Sequence, residues 1–170
     1  LDFPFSIFIK KNDIIFIESK ERINGGINMS MDRDPMKVSK AMELAAKYYD
    51  KDTYAHAMRV AGYVAQNMTI PYEYRDECVA LAICHDLIED TKCLLTGFPD
   101  NFGEALKLLS KPKGEDYVEY CKRLRPIRGT HYQNCAYWVK LADMKDHLTL
   151  TDTLTDRLKE KYLAGLAVLL

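Results

Sequence analysis

Cys78-Val79-Ala80-Leu81-Ala82-Ile83-Cys84-His85-Asp86-Leu87-Ile88-Glu89-Asp90-Thr91 changes character halfway along. Apolar and small residues up to Cys84 give way to four ionisable groups between His85 and Asp90. The run is opened by Pro71 and reads as a buried helix that continues through the motif and leaves it near Thr91-Lys92. Residues four apart on a helix share a face, so His85 is expected over Glu89 and Asp86 over Asp90. A histidine beside an aspartate suits a hard or borderline divalent cation, with the carboxylates one turn on placed to handle protons at its rim.

One such pair does not fill a cation's coordination shell, so donors are expected from other helices. Tyr54-Ala55-His56-Ala57-Met58-Arg59-Val60-Ala61 sets a histidine in an amphipathic pattern. Trp138-Val139-Lys140-Leu141-Ala142-Asp143 ends an apolar run on an aspartate. His56, His85, Asp86 and Asp143 together offer two imidazoles and two carboxylates. That mixed set leaves octahedral positions for water and favours Mn²⁺, Fe²⁺ or Mg²⁺ over a closed structural zinc. Alone, His56 would ordinarily be a satisfied core residue; the motif downstream tips it to ligand.

The order His56, His85-Asp86, Asp143 resembles that of the HD-domain metal-dependent phosphohydrolases. The longer matches are His-Asp-x-x-Glu-Asp-Thr at 85–91 and Val-Lys-Leu-Ala-Asp at 139–143. These resemble the hydrolase domain of RelA/SpoT-type proteins and the stand-alone small alarmone hydrolases, which remove pyrophosphate from (p)ppGpp. The likeness runs from about Ala41 to Leu170 and takes in Gly97-Phe98-Pro99, Asp156-Arg157-Leu158 and Lys161-Tyr162. It implies an all-α HD-domain helical bundle and a Mn²⁺-dependent hydrolase of the 3′-pyrophosphate of (p)ppGpp or a related nucleotide. Glu89 and Asp90 would then assist catalysis, and Lys47 is the best counterpart of the family's basic residue before the first histidine. Another HD-type nucleotidase or phosphodiesterase, or a catalytically inactive nucleotide-binding module, is the alternative.

The sequence departs from that pattern in places. His147 stands four residues after Asp143, where the alarmone hydrolases usually carry an asparagine near the ribose. One turn beyond Asp143 it faces the same way, and it is open to replacing that contact, adding a metal ligand or marking another substrate. Ala57 follows His56, where the family usually has a proline. Lys140 is placed either to meet a substrate phosphate or to snorkel to solvent.

With 170 residues, 48% of them hydrophobic, the chain can bury a sizeable core in one main domain. A net charge of −1 marks neither a nucleic-acid binder nor a membrane binder, so phosphate recognition has to be local. Five cysteines, an odd number without paired spacing, read as reduced thiols of a cytoplasmic protein. Cys84 is a small buried helix residue before it is a soft ligand. A small-molecule nucleotide is the expected partner, and a homo-oligomer is left open.

Residues 3–18 cluster Phe and Ile around Lys10-Lys11-Asn12-Asp13 and predict a short β-hairpin. Gly25-Gly26 reads as a joint, and Met29 and Met31 as plausible starts, so 1–28 is expected to be an extension or leader to a hydrolase domain at 29–170. Helices are expected from Pro35, capped by Asp34, to Tyr49, and from a cap at Asp52 or Thr53 to Asn67. Further ones follow Pro71 and cover 101–110, 115–124, 130–148 and 153–168. Arg123, Arg125 and Arg128 make either a solvated loop or a phosphate-facing patch. His131, outside every motif, is expected at the surface or in a cap.

Overall fold

The computed structural model describes residues 35–126 and 129–170, all within the unit Met31–Leu170. The hairpin expected at 3–18, the 1–28 extension, the Asp34 cap and Arg128 lie outside the described residues. Every regular element among those residues is helical, as the all-α reading requires. None of these helices is long and apolar enough to cross a membrane.

Helix α1 is Val38–Tyr48, and it starts later than the Pro35 signal suggested. Lys37 is still extended, and this lets Met36 bury its side chain ahead of the helix. Helix α2 is Lys51–Gln66, capped by Asp50 rather than by Asp52 or Thr53. The Asp50 carboxylate accepts the Thr53 N–H at 2.8 Å, the reach from an N-cap to the third helical residue. Next come α3, Tyr72–Cys84, and the single turn α4, Leu87–Asp90. After a 3-10 turn at Leu95–Gly97 follow α5, Asp100–Leu109, and α6, Tyr117–Leu124. Helix α7 is His131–Thr149, opened by a capping box between Thr130 and Gln133, and α8 is Asp156–Leu169.

The helix expected to run unbroken through the motif is broken at His85-Asp86. Asp86 has φ −96° and ψ 0°, the bridge region between helix and strand. Two competing hydrogen bonds, one local and one from a distant residue, account for the break. The His85 Nδ1–H donates to the Ala82 carbonyl at 2.8 Å, and the Asp86 N–H donates to Tyr49 Oη at 3.1 Å. Both groups would otherwise serve the helical ladder, so the chain turns here and the ionisable groups point out of a helix end.

Helix α3 packs against α1, α2, α5 and α7, while α7 also meets α2, α5, α6 and α8. Residues 80–85 and 134–140 are buried without interruption. A helix buried on all sides needs apolar residues all round, which explains why neither shows a clean amphipathic stripe. Leu81, Ile83 and Leu87 are at most 2% exposed, and burying each stabilises by about 1.5–3 kcal/mol. Helix α8 approaches closely at Gly165, where a Cβ would come within 2.7 Å of Met144 and Tyr117. That approach sets Tyr162 against the end of α7.

Candidate metal centre

Three buried segments meet at one point. Helix α2 supplies His56, the α3–α4 break supplies His85 and Asp86, and α7 supplies Asp143. His56 Nε2 lies 3.3 Å from His85 Nε2, 3.3 Å from Asp143 Oδ1 and 3.9 Å from Asp86 Oδ2. His85 Nε2 lies 3.2 Å from Asp86 Oδ2 and 3.7 Å from Asp143 Oδ1. Bonds of about 2.1 Å set neighbouring donors about 3.0 Å apart around an octahedron and about 3.4 Å apart around a tetrahedron. The observed separations match neighbouring ligands around one divalent cation.

The far side of each imidazole is already committed. His85 Nδ1–H is taken by the Ala82 carbonyl, and His56 Nδ1–H donates to Asp146 Oδ2 at 2.7 Å. Each Nε2 therefore turns its lone pair inward, facing the Asp86 and Asp143 oxygens. Four acceptors gathered without a donor between them need a positive charge. Burial opposes the His85 charge, but Asp86 and Asp143 outweigh it and raise its pKa to about 9. The same field that holds protons there would hold a metal ion, and the donor set fits one.

Asp146 was not singled out in the sequence. Its side chain is fully buried and gripped by Arg59, whose Nε donates to Oδ1 at 2.9 Å and whose terminal nitrogen donates to Oδ2 at 2.9 Å. Arg59, Asp146 and His56 thus form a chain that fixes the imidazole tautomer and ring plane. The one local hint was a second aspartate, three residues after Asp143, within a buried helix. In Asp146→Asn the amide nitrogen can donate to Nδ1 and so move the imidazole proton to the inward Nε2. Calorimetric titration with Mn²⁺ should find affinity lowered by roughly 10- to 100-fold; unchanged affinity would separate Asp146 from the centre.

His147 Nε2 lies 3.1 Å from Asp143 Oδ1, and its ring stacks on Tyr162 at 4.8 Å and 8°. His56, Asp143 and His147 present donor atoms all within 4.8 Å of one another. Of the three roles left open for His147, its geometry matches that of an added ligand. Asp143 is thereby shared among His56, His85 and His147 on one oxygen, with Lys140 Nζ 2.7 Å from the other. Burial raises the Asp143 pKa, but Lys140 and the three imidazoles outweigh it and hold the carboxyl well below its usual range.

No protein-family model and no curated protein matches this chain.

A cleft of about 210 Å³ opens beside the four donors. Glu89, Asp90, Lys140 and His147 line it, joined by Lys111, Lys161, Tyr117 and Tyr162. Glu89 is exposed, and its Oε2 accepts the Lys111 N–H at 3.0 Å, which ties the loop after α5 to the motif. Asp90 is exposed as well, and partial desolvation followed by the Asp86 and Glu89 charges raises its pKa. Lys140 does not snorkel; it is buried on Asp143, over the rings of Tyr117 and Tyr120.

Lys161 reaches the cleft above the Tyr117 ring at 4.5 Å, and among the described residues no carboxylate pairs with it. Partial burial and the neighbouring Lys140 and Lys111 charges lower its pKa. Lys47 is outside the cleft lining; its ammonium sits over Tyr48 at 4.9 Å. Arg123 also stays out of the cleft, bonding Glu115 and the carbonyls of Leu108 and Ser110. Cys84 points its sulfur at the Ala41 carbonyl, 4.0 Å away.

Proposed function

We propose that the chain is a metal-dependent phosphohydrolase of the HD type, working on a nucleotide that carries a pyrophosphate, with the 3′-pyrophosphate of (p)ppGpp the leading substrate. The observation that carries this reading is the convergence of His56, His85, Asp86 and Asp143 beside a cleft with a lysine free to take an anion. These four residues, with His147, would hold Mn²⁺, whose mixed nitrogen and oxygen preferences they meet. The bound ion would lower the pKa of a water molecule and polarise a phosphoryl oxygen.

The chain's own groups divide the remaining work. Lys161 meets phosphate oxygens at the cleft mouth as a point charge. Lys140 balances Asp143, so the site tolerates that buried carboxylate beside Asp86 and an anionic substrate. Asp90, with its raised pKa, accepts the proton of the attacking water. Glu89 holds the Lys111 backbone and so fixes the wall of the cleft rather than moving a proton. Described cysteines that are all free thiols agree with a cytoplasmic setting, where nucleotide signals are found.

His147 at the asparagine position and Lys47 outside the cleft favour a second reading, an HD-type hydrolase of a different phosphorylated nucleotide. Incubating the protein with ppGpp and Mn²⁺ decides between them. The leading reading expects GDP and pyrophosphate in equal amounts, with no release from nucleoside monophosphates. Turnover confined to monophosphates would establish the second reading, and inert ppGpp with Mn²⁺ demonstrably bound would end the first.

A further inference from the structure

Helices α3 and α7 run side by side in the same direction, so two levels of contact repeat along them. At one level His85 faces Asp143. At the other, Glu77 faces His131, whose Nε2 is hydrogen-bonded to Glu77 Oε2. Eight residues of α3 and twelve of α7 separate the levels, or about 12 Å and 18 Å of helix. Cys135 lies one turn after His131 on the same face of α7. His131, expected at the surface or in a cap, does open α7, and it also stands among other ligand-type side chains.

The carboxylate of Glu77, the imidazole of His131 and the thiol of Cys135 offer ligand atoms all within 4.8 Å of one another. Their setting is graded from dry to wet. Cys135 is fully buried, while the Glu77 and His131 side chains are 22% and 35% exposed. Cys78, also fully buried, stands behind Cys135, within hydrogen-bonding reach of its thiol. The Tyr74 ring meets His131 edge-on at 4.1 Å and fixes its plane. His131 is also the first residue of α7, held by the Thr130–Gln133 capping box. Three donors of different softness thus sit on rigid elements, with the fourth side open to solvent.

We propose that Glu77, His131 and Cys135 form a second cation site, distinct from the phosphohydrolase centre, which takes Zn²⁺ with water as the fourth ligand. One sulfur, one nitrogen and one oxygen donor suit tetrahedral zinc and disfavour Mn²⁺ or Mg²⁺. The HD-type centre has the opposite preference, since its donors are nitrogen and oxygen and Cys84 turns away. The two sites therefore sort metals by donor softness. A zinc ion bound here ties the start of α7 to α3 and stabilises the fold by mass action.

Co²⁺ titrated into the full chain, with thiols kept reduced, tests this without any reference to hydrolysis. The expected signal is a sulfur-to-cobalt charge-transfer band in the near ultraviolet, kept in Asp86→Ala and lost in Cys135→Ser. Glu77→Gln changes an accessible side chain and should keep the fold while weakening cobalt affinity by roughly tenfold or more. A folded wild-type chain without the band overturns the site, as does a band that persists in Cys135→Ser or wild-type affinity in Glu77→Gln.

Discussion

Asp86→Ala should abolish both Mn²⁺ binding and nucleotide hydrolysis while leaving the helical fold in place. The Asp86 side chain is 27% exposed and its Oδ2 faces His85 and His56, so its removal opens no dry cavity. The turn at this position survives as well, because the bond to Tyr49 comes from the Asp86 main-chain N–H. What disappears is one of two inward carboxylates, leaving the imidazoles and Asp143 alone with too little negative charge for a divalent ion. Loss of a residue that merely orients a ligand lowers affinity by roughly 10- to 100-fold, and loss of a ligand itself should exceed that. Calorimetry with Mn²⁺, pyrophosphate release and far-ultraviolet circular dichroism read the three quantities separately. Wild-type affinity in this variant would remove Asp86 from the centre and the proposed mechanism with it.

Asp143→Ala should be worse, because it damages the fold as well as the site. Asp143 is 4% exposed and is the carboxylate on which the buried Lys140 ammonium rests at 2.7 Å. Burial opposes the Lys140 charge, but Asp143, with Tyr120 and Tyr117, outweighs it and keeps the lysine protonated. Removing one partner of a buried pair leaves the other uncompensated and costs about 3–5 kcal/mol. Urea unfolding should show that loss. The double variant Asp143→Ala with Lys140→Met, which replaces the stranded ammonium by an apolar chain of similar length, should recover most of the stability and none of the cation binding. If the double variant were as unstable as the single one, the cost would lie elsewhere than in the stranded charge.

The helical class was legible in the sequence because caps, prolines and apolar spacing act within a few residues of one another. Pro71 ahead of α3, the Gln66 end of α2 and the Thr130 opening of α7 all follow from such local chemistry. The start of α2 was misplaced by two residues or more, since Asp50, Asp52 and Thr53 are all competent caps and side-chain reach decides among them. The motif was read as continuous helix because its residues permit one. Its break depends on Tyr49, 37 residues earlier in the chain, taking the Asp86 N–H.

The same division runs through the site. Four donors of two types could be listed from residue identity, since an imidazole or a carboxylate carries its coordination chemistry wherever it lies. Their orientation could not. His56 is aimed by Asp146, 90 positions away, and Asp146 is aimed in turn by Arg59. Lys161 rather than Lys47 came to line the cleft because α8 packs closely at Gly165, a contact between helices that no local pattern announces. By itself, then, the sequence determined the helical class and the inventory of groups able to bind a metal, both of which are properties of single residues and short spacings. Tertiary packing decided where Asp86 leaves the helix, which nitrogen of His56 faces inward and which lysine meets the cleft, because each rests on a contact between segments far apart in the chain.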